Sequence, residues 1–282
     1  MVNAFMLTKK MIQYMGDVGA TNSGKQTLAE GMAERRLRNV EAVLFDFGGT
    51  LYDVHPAPLR AWQRLLAAAG LNRFRLSDYY QAVANARVRF LDRRTAELVA
   101  SGRSPSMTAA DWTRYNRQIL LDLGLPRAEL SDDLCQQLGE AMVLARKRYR
   151  LLPGARDVVR HLARGLKLGL VSNTSEDLRA YLMNDGIIQC FDVITLSHEV
   201  TYWKPDPRIF LHSCLALNTI PSRTAYVGDL PVCDCKAAQE AGLLPILIKR
   251  PGVHLPACAG LGSIPTISAI AELTALVEAE HA

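Results

Sequence analysis

The sequence predicts an α/β fold: a parallel sheet flanked by helices, with an all-α segment inserted into it. Three observations lead there. Val40-Glu41-Ala42-Val43-Leu44-Phe45-Asp46 is a short apolar run that ends at an acid and is followed by Gly48-Gly49. That is the pattern of a buried central strand opening into a tight loop. From about Pro56 to Arg150 the spacing is helical, with Trp62, Leu65, Leu66 and Ala69 at i, i+3, i+4 and i+7. Beyond Leu151, short apolar runs alternate with helical stretches of about ten residues, as in right-handed βαβ units.

Residues 1–39 read as a partly flexible leader with a helix from Thr27 to Arg38. Within it Gly19–Gln26 (GATNSGKQ) nearly spells a phosphate-cradling loop, but Gln26 stands where a magnesium-holding hydroxyl belongs. It is read as a Gly/Ser/Asn loop. Helices are expected at 57–70, 77–100, 108–123 and 129–149, broken at Gly70, Ser101–Pro105 and Gly124–Pro126. After the turn Leu151–Ala155, helix 155–164 precedes strand 167–171, and helix 175–184 precedes strand Val193–Leu196. Helix 207–216, strand Thr224–Val227, helix 233–240, strand Pro245–Ile248 and a last helix at 267–279 complete the chain. The domains are therefore drawn as a core of 40–52 plus 151–282 and a helical insertion of 53–150.

A chain of 282 residues accommodates one large α/β domain with such an insertion. It has no run of about eighteen apolar residues, so no membrane association is expected. Lys9 and Lys10 interrupt the apolar start, and no secretion signal is read there. The six cysteines lack a framework spacing and are read as reduced thiols of a cytoplasmic protein. Cys233 and Cys235 flank Asp234, yet no second Cys or His pair accompanies them to complete a soft-metal site.

Of the net charge of +5, the segment Asp53–Arg150 holds the excess, with 16 Lys/Arg against 10 Asp/Glu. A solvated helical surface and an attractor of anionic substrate both fit. A nucleic-acid partner is not expected, because no aromatic-rich binding signature or zinc-finger spacing appears. Nothing in the sequence fixes the oligomeric state.

The chemistry gathers at strand ends, where open parallel sheets bind ligands. The first offers Asp46, Gly48, Gly49 and Thr50; the second ends at Ser172-Asn173; a later loop carries Lys204-Pro205; the next strand ends at Gly228-Asp229, with Asp234 beyond. A carboxylate can attack phosphorus, and carboxylates together suit a hard divalent cation. A hydroxyl, an ammonium and glycine-rich backbone amides can bind phosphate oxygens. A strand-end Asp is more often a cap and a lone Lys a surface residue, so it is the ordered set that carries weight.

In that order, Asp46…Ser172…Lys204-Pro205…Gly228-Asp229…Asp234 resembles the four motifs of the haloacid dehalogenase-like (HAD) hydrolase superfamily, over about residues 40–280. The helical segment resembles that superfamily's mobile C1 cap. The resemblance implies a Rossmann-like core and hydrolysis of a small phosphorylated metabolite. It implies Mg²⁺ held by Asp46, Gly48, Asp229 and Asp234, and catalysis by Asp46, Lys204 and Ser172. Substrate is expected at Gly48, Gly49, Thr50, Ser172, Asn173 and Lys204, with cap arginines Arg87, Arg89, Arg93 and Arg94 as further candidates.

One position departs from the pattern. Phosphatases of the superfamily usually carry a second Asp, the general acid, two residues after the nucleophile; here that residue is Gly48. General acid catalysis contributes about 10²–10⁴-fold. The alternatives are a metal-independent 2-haloacid dehalogenase, a phosphonatase, a phosphatase with a displaced acid (Asp53 or His55) or an easy leaving group, and a phosphate-binding protein with little turnover. A phosphonatase needs a cap lysine, and the first lysine in the segment is Lys147.

Overall fold

A computed structural model describes residues 39–54, 56–68, 75–103, 105, 107–144, 149–250, 253, 258 and 260–277. The leader, its helix at 27–38, the glycine loop 19–26 and His55 lie outside these residues. The described residues form two compact units: one from those within Met1–Leu51, Leu151–Arg250 and Cys258–Ala282, the other from those within Tyr52–Arg150 and Pro251–Ala257.

The first unit is a Rossmann-like α/β core. Its strands are β1 (Ala42–Phe45), β4 (Lys167–Ser172), β5 (Val193–Leu196), β6 (Thr224–Gly228), β7 (Leu244–Ile248) and β8 (Thr266–Ile267). They form one sheet in the order β5-β4-β1-β6-β7-β8, with every pairing parallel. All four residues of β1 are buried, as its unbroken apolar run requires of a central strand covered on both faces. Phe45 lies opposite Leu170 of β4 and Val227 of β6, so the loops that follow these three strands open side by side. Gly169 has a packing reason: a Cβ there would stand 2.5 Å from Leu44 Cδ2.

The core packs the helix Pro207–Ala216 through Ile209, Phe210, Leu211 and Cys214 onto Leu44, Val171 and Tyr226. Asp206 caps this helix by accepting a hydrogen bond from Arg208 N, and Pro207 occupies its first turn.

The second unit is helical except for a two-stranded ribbon, β2 (Tyr52–Val54) with β3 (Tyr149–Leu151), where the chain leaves and re-enters the core. Its helices are Pro56–Ala68, Leu76–Ala86, Asp92–Ala100, Ala109–Asp122 and Asp132–Leu144. Trp62, Leu66, Tyr79, Ile119, Leu120 and Leu138 centre its own hydrophobic core, and Trp62 Nε1 donates to the Leu138 carbonyl at 3.0 Å. Thr108 and Asp111 form a capping box at the start of Ala109–Asp122.

Several expectations are corrected. The helix expected over 77–100 contains a π-helical stretch, Arg87–Leu91, for which apolar spacing carries no signal. The helix expected to run to 149 is described only to Leu144, and Tyr149 belongs to a strand. Three-residue strands are too short to display alternation. Helix 233–240 begins as a π-helix, Pro231–Lys236. The terminal helix starts later than expected, with a 3₁₀ turn and then Leu273–Val277, because 266–267 form β8. Among the described residues, no helix is long and apolar enough to cross a membrane.

Candidate active site

Asp46 follows the last residue of β1, and its backbone N–H donates to the Val227 carbonyl at 2.9 Å, which continues the β1–β6 pairing one step further. The carboxylate is buried, and its Oδ1 accepts from Lys204 Nζ at 2.6 Å. Lys204 is 2 % exposed and also donates to Asp234 Oδ1 at 2.6 Å and to the Tyr226 hydroxyl at 2.9 Å. Tyr226 in turn donates to the same Asp234 oxygen at 2.9 Å, while Leu230 N donates to Asp234 Oδ2 at 2.9 Å. Asp234 has no solvent exposure.

Two glycines let the acids approach the backbone. A Cβ on Gly228 would stand 2.5 Å from the Asp234 side chain, and one on Gly49 would stand 2.2 Å from Asp229 Oδ2. Gly49 also has φ +93°, a left-handed conformation that favours glycine. Gly49→Ala is therefore expected to cost about 2–4 kcal/mol, backbone strain plus overpacking. Unfolding at the wild-type urea midpoint would contradict this account of the loop.

The β4 end contributes Ser172, which is buried, and Asn173. The Asn173 amide pairs with the backbone of Lys204 on both sides: Nδ2 donates to the Lys204 carbonyl and Oδ1 accepts from Lys204 N, each at 2.8 Å. Expected at the substrate, Asn173 is thus committed to the lysine loop. Thr50 is fully buried and its Oγ1 makes no hydrogen bond. Arg250, beyond β7, donates from Nη2 to the Gly49 carbonyl at 3.3 Å.

One oxygen from each of Asp46, Asp229 and Asp234 can be chosen so that all lie within 4.8 Å of one another. Burial pushes the Asp46 carboxyl up to about 7, and Asp234 and Asp229 push the same way against the pull of Lys204. Burial alone would lower the Lys204 ammonium, but Asp234 and Asp46 outweigh it and raise Lys204 above the usual lysine range. Burial, then Asp234, raises the Tyr226 phenol, so it keeps its proton and donates. Three carboxylates against one ammonium leave an excess of negative charge in a partly buried space. An all-oxygen set with that deficit fits a hard divalent cation.

Of the arginines considered for substrate binding, Arg94 donates to Asp111 at 3.0 Å and Glu97 at 3.2 Å, and Arg89 pairs with Asp122 at 3.2 Å. Both serve the helical unit's own structure. Tyr226 and Arg250 were not anticipated. A tyrosine two residues before Gly228-Asp229 in an otherwise apolar strand was the available signal for the first, since a buried phenol needs a partner.

Residues 40–242 match the model of the haloacid dehalogenase-like hydrolase family. The chain belongs to that family. This HAD chain is 33% identical over 150 residues to a phosphoserine phosphatase of Thermus thermophilus, a match that covers 52% of this chain and 60% of that protein, less than two thirds of its length. It is 28% identical over 222 residues to an N-acetylmuramic acid 6-phosphate phosphatase of Pseudomonas aeruginosa, covering 78% of this chain and 86% of the relative. Among solved structures, the magnesium-bound putative HAD-hydrolase YfnB of Bacillus subtilis superposes with a TM-score of 0.56 at 18% identity, covering 85% of this chain and 99% of that one. That likeness concerns the fold.

Proposed function

We propose that this HAD hydrolase cleaves a small phosphorylated metabolite through an aspartyl-phosphate on Asp46, with Mg²⁺ as cofactor. The observation that carries the reading is the gathering of Asp46, Asp229 and Asp234 near the carboxyl ends of β1 and β6, with Lys204 bound to the first and the last. The phosphatase names of the relatives support the same substrate class.

An Asp46 oxygen attacks phosphorus and the bond from phosphorus to the leaving oxygen breaks. Water then attacks phosphorus, the bond to Asp46 breaks, and inorganic phosphate and the free carboxylate return. Lys204 holds Oδ1 of Asp46, so Oδ2 is the oxygen that it leaves for attack. The Ser172 hydroxyl and the backbone amides of Gly48, Gly49 and Thr50 are assigned to the phosphate oxygens. Lys204 acts on the phosphate by its charge.

Asp46, Asp229 and the Gly48 carbonyl would hold Mg²⁺. Asp234, already accepting three hydrogen bonds, suits a cation-bound water better. When bound, the cation supplies charge neutralisation at the phosphate oxygens.

Gly48 brings no proton to the leaving oxygen, which favours acyl or aryl phosphates, whose oxygens depart without one. We assign residues 53–150 the role of a substrate-selecting cap. None of the six cysteines is in a disulfide, which suits the reducing cytoplasm, where we place the reaction.

The test is hydrolysis of acetyl phosphate and p-nitrophenyl phosphate with Mg²⁺ and with EDTA. Turnover that EDTA abolishes is the expected result. Metal-independent halide release from 2-chloropropionate would replace this reading with a dehalogenase. The second reading, a phosphate-binding protein, is favoured by Gly48 itself. Its signature is a rise in melting temperature with phosphate plus Mg²⁺ and no turnover.

A further inference from the structure

Lys204 has three N–H donors, and all three are engaged: Asp46 and Asp234 at 2.6 Å, Tyr226 at 2.9 Å. The first two acceptors are charged and the third is neutral. We propose that Tyr226 is a positioning residue for the site: its hydroxyl fixes the Lys204 ammonium on Asp46 and orients the Asp234 carboxylate. This rests on the proposed phosphatase reading and names the residue that holds its charged groups in place.

The geometry makes the phenol a link in both directions. Its oxygen accepts from Lys204, and its proton goes to Asp234 Oδ1, the oxygen that Lys204 also holds. The three groups close a ring of hydrogen bonds. With the third N–H held by Tyr226, the other two point at the two carboxylates and have no neutral alternative. Leu230 N then fixes Asp234 Oδ2, so that carboxylate is restrained at both oxygens.

The phenol is itself rigid. Tyr226 sits in the middle of the fully buried strand β6, with its ring edge-on to Phe210 at 4.8 Å between centroids. A strand-borne aromatic with two torsions loses little freedom in aiming its hydroxyl. Asn173 secures the other end of the lysine through its backbone. Lys204 is therefore anchored at its main chain and at its head.

Tyr226→Phe keeps the ring and removes the link. Groups that orient metal ligands typically change metal affinity or activity by about 10- to 100-fold when removed. The experiment compares wild type, Tyr226→Phe and Phe210→Leu, which disturbs the ring's packing and leaves the hydroxyl. Mg²⁺ affinity is read by calorimetry without substrate, and kcat and KM are read with acetyl phosphate. Tyr226→Phe is expected to weaken Mg²⁺ binding and lower kcat, each about tenfold or more, with KM within about twofold. Phe210→Leu, which keeps the hydroxyl and its partners, is expected to change each by about twofold or less.

Unaltered Mg²⁺ affinity and kcat in Tyr226→Phe would overturn the inference. An equal loss in Phe210→Leu would overturn it too, because packing would then be the cause. If wild type binds Mg²⁺ without hydrolysing any phosphate, the phosphatase reading fails while calorimetry still decides the role of Tyr226. A wild type that binds no Mg²⁺ refutes both.

Discussion

Asp46→Asn is expected to lower kcat for acetyl phosphate by about 10⁴-fold or more, the scale seen when a nucleophile is removed from a hydrolase. The substitution is close to isosteric. It removes one of three crowded carboxylates, and Lys204 keeps Asp234 and Tyr226 as acceptors. Stability is therefore expected to move by less than about 1 kcal/mol, since the lost pair is offset by relieved repulsion. A melting temperature near wild type together with abolished turnover identifies a chemical role. Residual activity above about 1 % of wild type would exclude an aspartyl-phosphate at this position.

Lys204→Met is expected to have the largest effect on stability. It leaves Asp46, Asp229 and Asp234 together with no ammonium among them, two of them buried. Removing one partner of a buried ion pair costs about 3–5 kcal/mol because the remaining charge stays buried. Urea unfolding should record a loss of that order. Mg²⁺ should restore more stability to the variant than it adds to wild type, because the uncompensated carboxylates bind it more tightly and a ligand of the folded state stabilises by RT ln(1 + L/Kd), L being its free concentration.

The sign with pH follows from the same charges. Asp46 is held at about 7 when folded, above an unfolded Asp value near 3.9. Between those values the folded state binds the extra proton. Cation-free stability should thus rise as pH falls from 7 toward 4, more steeply in the variant. A flat profile in Lys204→Met would mean that the three acids do not share one field.

What could be read without the fold was what is local in the chain. Ala42–Asp46 declares a central strand and its terminal acid within a few residues, and Gly228-Asp229 does so again. The alternation after Leu151 gave the parallel sheet for the same reason. The roles of Asn173 and Tyr226 were not legible, because both depend on Lys204 lying against the ends of β4 and β6. No spacing in the chain encodes that register. β2, β3 and β8 are too short to carry a period, and the π-helical stretches at Arg87–Leu91 and Pro231–Lys236 differ from α-helix by one hydrogen-bond step. The pairing of Arg89 with Asp122 and of Arg94 with Asp111 was not legible either, because those acids come from a different helix, Ala109–Asp122.

The position of β1 has a consequence for how the molecule is made. Among the described residues this strand pairs with β4 and β6, through partners such as Ala42 with Lys167 and Ala42 with Thr224. During synthesis its apolar run therefore leaves the ribosome long before either neighbour exists, and the whole helical segment is translated in between. At about 5–20 residues per second that interval lasts several seconds. The helical unit has its own hydrophobic core, so it can form during the wait. Through that time the strand that carries Asp46 is an unpaired, aggregation-prone edge, and the protein's yield in the cell should depend on how well that edge is shielded.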